Sequence, residues 1–169
     1  MKAVIELAKP IRDAVWTHLL PRKQEVEQAA FLYATVFEGS FHVIQWEPVF
    51  TDDFVIQTSF HIELVDAVRA RVIKRAHDLG GALIEMHSHL GKWPAQFSPS
   101  DIAGFDEWVP HVRWRLKGRP YAALVVTRRG FDGLAWIDSE GPVVTKLLID
   151  GAVECPTGLS RKEKYEKPL

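Results

Sequence analysis

Two histidines separated by one serine, His87 and His89, are the residues whose types and spacing first suggest chemistry. They end the apolar segment ALIEM at 82–86, which has the composition of a buried β-strand. Side chains two positions apart in a strand project from the same face, so both imidazoles would point the same way. A catalytic Zn²⁺ takes three protein ligands and leaves one position open. The pattern therefore indicates a divalent metal site at the carboxyl end of this strand.

Asp101 is the nearest downstream carboxylate that a loop could return to the strand end. It also has a structural explanation, because the sequence SPSD at 98–101 is typical of a helix start. Ser98 would be the N-cap, Pro99 the first helical residue and Asp101 the acidic member of a capping box. The spacing alone does not choose between a helix cap and a metal ligand. Both can hold, since a capped helix start is a rigid mount for a ligand.

A hydrolytic metal site also needs a base close to the metal, usually a carboxylate that does not bind the ion. Glu27 fits this requirement because it precedes the apolar segment AAFLYATVF at 29–37. A solvated charge at a strand end is the competing explanation for Glu27. Glu38 is a second candidate, but it falls at the tip of an expected hairpin and would point away from a buried metal.

Five residues together resemble the motif of the JAMM family, the MPN-type zinc metalloproteases that remove ubiquitin and its relatives: Glu27, His87, His89, Ser98 and Asp101. The family pattern is a Glu at a strand start, then His-x-His, a short loop, Ser, two residues and Asp. The segment EQAAFL at 27–32 is similar to the family's opening, and the resemblance covers roughly residues 10–150. Two departures fall in the loop. Eight residues lie between His89 and Ser98, one more than is usual, and Leu90 replaces the proline that often follows the second His.

The resemblance implies a fold, a cofactor and residue roles. The fold would be α/β, with a single MPN-like (cytidine-deaminase-like) domain over 1–155 whose mixed central β-sheet is flanked by helices. A charged, loose C-terminal tail would follow at 156–169. His87, His89 and Asp101 would hold Zn²⁺. Glu27 would be the catalytic base, and Ser98 would donate a hydrogen bond to the oxyanion.

The activity implied is that of a zinc metalloprotease that cleaves peptide or isopeptide bonds after the C-terminal Gly of a ubiquitin-like protein. The cleavage would serve deconjugation or precursor processing in a bacterial ubiquitin-like conjugation system, whose enzymes would be further partners. Trp93 and Phe97 would flank the substrate tail, although plain packing explains them equally well. Two alternatives stay open: release of an amino acid from a sulfur-carrier protein, and a noncatalytic MPN scaffold, a class that usually lacks the metal ligands.

Hydrophobic periodicity predicts the elements that must position these residues. A helix is expected over 9–20, a hairpin around 38–40 and a second helix within 61–81 that ends at a Gly-Gly pair. The metal strand would span 82–89. A third helix would start near Ser98 and be ended or bent by Pro110. Additional strands are predicted over 121–127, 131–138 and 143–150.

Composition limits the other classes of function. A chain of 169 residues with 25% charged residues is expected to form one globular domain. The net charge of −1 provides no broad basic field for nucleic acid or an acidic membrane, so neither is expected as a partner. Cys155 is the single cysteine, which excludes an internal disulfide and the ligand set of a zinc deaminase. With no apolar run long enough for a signal peptide or a membrane span, we expect a soluble cytoplasmic protein.

Overall fold

Strand pairing organises the computed structural model, which describes residues 2–160. Three α-helices occur in this range: α1 (Lys9–Leu19), α2 (Asp66–Asp78) and α3 (Pro99–Arg115). The strands of the same range are β1 (Ala3–Leu7), β2 (Ala29–Phe37), β3 (Ser40–Pro48), β4 (Phe54–Gln57), β5 (Ile62–Leu64), β6 (Ala82–Ser88), β7 (Tyr121–Thr127), β8 (Gly130–Trp136), β9 (Val143–Ile149) and β10 (Ala152–Glu154). A short 3-10 turn, Thr51–Asp53, precedes β4. Among the described helices, none is both long and apolar enough to cross a bilayer.

The main sheet closes into a barrel through β1. The order is β1-β3-β2-β6-β7-β8-β9, and β1 pairs in parallel with both β3 and β9. All five residues of β1 are in register with β9, from Ala3 opposite Thr145 to Leu7 opposite Ile149. Strand β10 adds to β9, while β4 and β5 form a separate hairpin.

The expected MPN-like α/β fold, a mixed central sheet flanked by helices, is therefore wrong. The structure is a closed seven-stranded mixed β-barrel with three helices. The physical reason is the short segment AVIEL at the amino end, which was not predicted as a strand. This strand pairs with β3 along one edge and with β9 along the other, so an otherwise unpaired edge of each of these strands gains a partner. The sheet therefore closes into a barrel.

The barrel interior is one apolar cluster to which all seven strands contribute. Alternate residues of a strand face inward, so each strand supplies every second side chain. Helix α1 covers this cluster with Val15 and Leu19, which lie four residues apart on one helical face. Representative members from the seven strands are Ile5, Leu32, Phe41, Ile84, Leu124, Phe131 and Leu147.

A second apolar cluster lies outside the barrel, beneath α2 and α3. Leu83 of β6 and Phe31 of β2 meet Val72 of α2 and Val109 of α3 in this cluster. The inward residues of β6 are Ile84 and Met86 of the first cluster, so Leu83, Glu85 and His87 face outward, on the side of the two helices. The outer face of β6 is thus the surface on which a site can be built.

Most predicted elements form where the periodicity placed them. Helix α1, the hairpin of β2 and β3, and strands β6, β7, β8 and β9 are confirmed. Helix α2 starts later than predicted because 62–64 pair with β4 instead. Helix α3 continues through Pro110 to Arg115, so of the two expected effects of this proline, ending or bending the helix, the first is wrong.

Closure by β1 leads to a prediction about stability. Ile5 is fully buried in the interior cluster, so Ile5→Ala should lower the free energy of unfolding by about 2–5 kcal/mol. Val4 on the opposite face of the strand is only half-buried, and Val4→Ala should cost about half as much or less. Chemical denaturation of the two variants measures this difference. Equal losses would contradict the inward orientation of Ile5.

Candidate metal centre

The structure brings His87, His89 and Asp101 together. The two histidine Nε2 atoms lie 3.1 Å apart, and each lies 3.3 Å from Asp101 Oδ2. Two ligand atoms that are each about 2.0–2.1 Å from one tetrahedral ion would be about 3.3–3.4 Å apart. The three atoms therefore have nearly the mutual spacing of ligands around one zinc ion. Among the described residues, these three side chains form the group that could hold a metal ion.

Strand geometry positions the two histidines. His87 belongs to β6 and is 7% exposed, and its ring packs against Phe97 with centroids 5.9 Å apart. His89 follows the strand, and its backbone N–H donates to the Val126 carbonyl at 3.0 Å. Ser88 between them points to the other face, where its hydroxyl accepts from Gln24 and from a backbone N–H. Both imidazoles consequently share one side, as the spacing of two predicts.

Pairing of β2 with β6 positions Glu27. The antiparallel register sets Ala29 opposite His87, and the Ser88 N–H donates to the Gln28 carbonyl at 3.0 Å. The same register, extended by two residues beyond Ala29, sets Glu27 opposite His89. The Glu27 Oε1 atom lies 3.8 Å from His89 Nε2.

The backbone of Glu27 is held by the β4–β5 hairpin. Its N–H donates to the Thr58 carbonyl at 2.8 Å, and its carbonyl accepts from Gln57 Nε2 at 2.9 Å. Glu27 is only 5% exposed. Burial raises the pKa of Glu27, while the positive charges of His87 and His89 oppose the rise. A carboxylate with a raised pKa beside the metal-ligating group is suited to accept and return a proton.

Ser98 and Asp101 form the predicted capping box at the start of α3. The Asp101 N–H donates to Ser98 Oγ at 3.1 Å, and the Ser98 N–H donates to Asp101 Oδ2 at 2.8 Å. The cap does not prevent metal binding, because a carboxylate has lone pairs beyond the one that Ser98 uses. The Ser98 hydroxyl accepts in this cap, so its own hydrogen can be donated elsewhere. Asp101 can thus cap α3 and still offer an oxygen to a metal ion.

His87 and Asp101 change each other's pKa. Burial favours neutral His87, but the hydrogen bond and the charge of Asp101 outweigh it and raise the pKa of His87. Burial alone would raise the pKa of Asp101, yet hydrogen bonds from His87 and His89 lower it well below the usual range. The negative charge of Asp101 is therefore stabilised at the position where a metal cation would bind.

A groove of about 820 Å³ leads away from the candidate centre and is lined by two of its ligands, His87 and Asp101. Helices α2 and α3 form its walls, and β2 and β6 contribute its floor through Phe31 and Glu85. Glu27 and the hairpin residue Phe60 line it near the candidate centre, while Arg115 lines it towards the far end of α3.

Three other residues that the sequence suggested for the site have different surroundings in the structure. Glu38 lies at the turn after β2, at the other end of a nine-residue strand from Glu27, which spans about 30 Å. Glu38 is therefore not part of this site. Phe97 is 2% exposed and supports His87 and Phe105, so it is placed to pack and not to flank a tail. Trp93 is 78% exposed.

Sequence reasoning missed a buried clamp formed by Asp132 and Ser160. Asp132 Oδ2 accepts from the Ser160 N–H at 2.9 Å and from its hydroxyl, and Asp132 Oδ1 accepts from the Gly158 N–H at 3.1 Å. The Phe97 N–H donates to Ser160 Oγ at 2.9 Å. This clamp fixes the loop residue that precedes Ser98. An aspartate inside the apolar segment FDGLAW was the signal that could have revealed it.

The expected loose tail begins with an ordered stretch. Besides the Ser160 contacts, the Thr157 hydroxyl donates to the Ala95 carbonyl at 2.6 Å. Residues 157–160 thus belong to the support of the site and differ from the expectation for 156–169. Residues 161–169 of that predicted tail lie outside the described range.

Comparisons with known proteins address the fold alone. No family model matches the sequence, and no curated protein matches it. The solution structure of protein DSY2949 from Desulfitobacterium hafniense is similar, with a TM-score of 0.56 and 16% sequence identity. The match covers 86% of this chain and 92% of that chain. At this identity the likeness shows a shared fold and carries no statement about activity.

The ligand geometry predicts how zinc binding responds to substitution. His87→Ala removes one donor, and Asp101→Asn removes the anion while an amide oxygen can still cap α3. Each should weaken zinc binding by more than about a hundredfold. His111→Ala, an exposed histidine of α3, is the control and should keep the parental affinity. Zinc titration against a competing chelator measures these values, and parental affinity in His87→Ala would contradict the assignment.

The clamp predicts a second measurable effect. Ser160→Ala removes the acceptor of the Phe97 N–H, so that amide should exchange with solvent about tenfold faster. Stability should fall by about 1–3 kcal/mol because the buried Asp132 loses a donor. Ser139→Ala at an exposed position is the control. Unchanged exchange at Phe97 in Ser160→Ala would show that the clamp does not hold the loop.

Proposed function

We propose that this chain is a zinc-dependent peptidase that cleaves after the C-terminal Gly of a ubiquitin-like protein, by deconjugation or precursor processing. The proposal follows from the resemblance of five motif residues to the JAMM metalloproteases. It does not depend on the fold expected from that resemblance, which the barrel replaces. The cofactor proposed is Zn²⁺, held by His87, His89 and Asp101.

One observation carries the proposal. Three donor atoms of the types that zinc prefers lie 3.1–3.3 Å from one another, and a buried carboxylate, Glu27, is 3.8 Å from His89 Nε2. A structural zinc site is closed by four protein ligands, whereas a catalytic site has three and an accessible position. The groove that opens beside His87, Asp101 and Glu27 supports the catalytic type.

Glu27 and Ser98 have distinct roles in the proposed reaction. Bound zinc would polarise the scissile carbonyl as a Lewis acid and lower the pKa of water. Glu27 accepts a proton from the water whose oxygen attacks the carbonyl carbon, and it returns that proton to the nitrogen as the carbon–nitrogen bond breaks. The products are a C-terminal carboxylate and an amine. The free hydrogen of the Ser98 hydroxyl stabilises the negative oxygen of the tetrahedral intermediate.

The groove supports an extended polypeptide as substrate. Its lining combines polar and charged side chains with apolar ones, and Phe31, Ile62, Phe105 and Trp108 are among the apolar residues. A C-terminal tail that is narrow at its Gly end could run along the groove and present its last carbonyl to Glu27 and Ser98. Conjugation enzymes of a ubiquitin-like system are proposed as further partners.

A cytoplasmic location belongs to the same proposal. Cys155 is free and exposed, as thiols are in a reducing compartment.

The test is cleavage of linear fusions in which a ubiquitin-like protein is joined through its C-terminal Gly to a fluorescent reporter. Zinc-loaded parental protein should separate the two parts, and a chelator should stop the reaction. Glu27→Gln should bind zinc with parental stoichiometry and cleave about 10²–10⁴-fold more slowly, since it removes only the proton acceptor.

Glu38→Gln is the matched control and should cleave at the parental rate. Parental activity in zinc-loaded Glu27→Gln would contradict the role of Glu27. Full zinc occupancy without cleavage of any fusion, even with enzyme in stoichiometric amount, would contradict the peptidase activity while leaving the metal site in place.

A further inference from the structure

Glu85 is a charged residue of the groove that the proposed reaction does not use. It lies in β6 two residues before His87, and so it faces the same side of the strand. It contributes to the groove floor between the candidate centre and the far end of α3. Its neighbours on the strand, Ile84 and Met86, face the barrel interior.

A directed hydrogen-bond relay fixes the Glu85 carboxylate. Trp108 Nε1, which can only donate, donates to the Tyr121 hydroxyl oxygen at 2.8 Å. The Tyr121 hydroxyl in turn donates to Glu85 Oε2. Tyr121 is fully buried. The relay holds one oxygen of Glu85 and leaves the carboxylate with further lone pairs to accept from a ligand.

No ion-pair partner of Glu85 exists among the residues that the structure describes. The guanidinium of Arg69, which also lines the groove, lies over the Trp108 ring at 5.1 Å from its centroid and does not form an ion pair with Glu85. Carboxylates removed from bulk water are normally paired with a cation. A fixed carboxylate without such a partner, in a groove beside a candidate catalytic centre, is suited to a cation that arrives with a ligand.

We propose that Glu85 is a specificity-determining residue that binds a basic side chain of the substrate tail. This inference rests on the proposed function, because it takes the tail to run along the groove with its C-terminal Gly at the candidate centre. The ligand class is an arginine or lysine side chain, which complements the carboxylate by charge-assisted hydrogen bonds.

Strand spacing defines where in the tail that basic residue lies. Glu85 and His87 are two residues apart, which corresponds to about 6.6–6.8 Å along a strand. Both edges of β6 are paired, with β2 and β7, so an extended tail would lie over the outer face of β6, where it has the same rise and the same alternation of side chains. When its terminal Gly is level with His87 and the tail runs parallel to β6, the residue level with Glu85 is the third from the end, and its side chain can project towards the groove floor.

The experiment uses two synthetic hexapeptides with a free C-terminal carboxylate, each ending in Gly-Gly. One carries arginine third from the end, and the other carries citrulline, which has nearly the same shape without the charge. Binding to full-length, zinc-loaded protein is measured by calorimetry. The arginine peptide should bind about tenfold more tightly or better, as expected for a hydrogen bond between charged groups.

Glu85→Gln retains the size of the side chain and an oxygen for the Tyr121 hydroxyl. In this variant the preference for arginine over citrulline should fall to about one, with zinc content and citrulline-peptide affinity unchanged. Glu107→Gln, an exposed carboxylate that also lines the groove, is the matched control and should keep the tenfold preference. Equal affinity of the two peptides for the parental protein, no binding of either, or a preference that survives in Glu85→Gln would overturn the proposal.

The outcome is separable from that of the proposed function. Protein that binds zinc and cleaves fusions, yet shows no arginine preference, contradicts the Glu85 subsite alone. A tenfold preference that depends on Glu85, in protein that cleaves no fusion, contradicts the peptidase activity alone.

Discussion

The antiparallel pairing of β2 with β6 is the constraint on which the candidate site depends. Its register sets Ala29 opposite His87 and thereby brings Glu27, which precedes β2, next to His89. A shift by one residue would turn the histidines into the barrel and Ser88 towards the groove. Burial of alternate β6 residues in two different apolar clusters prevents that shift, because each face of the strand is already committed to its own set of contacts.

The barrel supplies a rigid floor, and long-range contacts bring the remaining groups to it. Asp101 arrives at the start of α3, where the capping box with Ser98 fixes both residues. The loop before this helix is held by Ser160 and Asp132, which come from the end of the described chain and from β8. The hairpin of β4 and β5 holds the backbone of Glu27. Segments far apart in the sequence are thus needed to assemble one small cluster of polar atoms.

Local pattern was sufficient to predict much of this arrangement. Period-two spacing predicted that His87 and His89 share a face, and the SPSD segment predicted the capped start of α3, since both are short-range effects. Barrel closure was not predictable in this way. The segment AVIEL at 3–7 is short, and its parallel pairing with β9 joins residues more than a hundred positions apart, which leaves no local signal.

The same distinction explains what was missed around the site. Asp132 and Ser160 carry no motif, and their importance arises only from a fold that buries one against the other. Glu85 lies inside an apolar segment, where it could be read only as an isolated polar residue. Its relation to Tyr121 and Trp108 depends on the packing of α3 against β7, which no spacing in the sequence encodes.

The most direct test of the account is a crystal structure of the zinc-loaded protein with anomalous scattering recorded at the zinc edge. The account predicts one ion per chain, about 2.0–2.2 Å from His87 Nε2, His89 Nε2 and an Asp101 carboxylate oxygen, with Glu27 close by but not bound. Zinc at another position, or no anomalous peak among these three side chains at full zinc saturation, would contradict it.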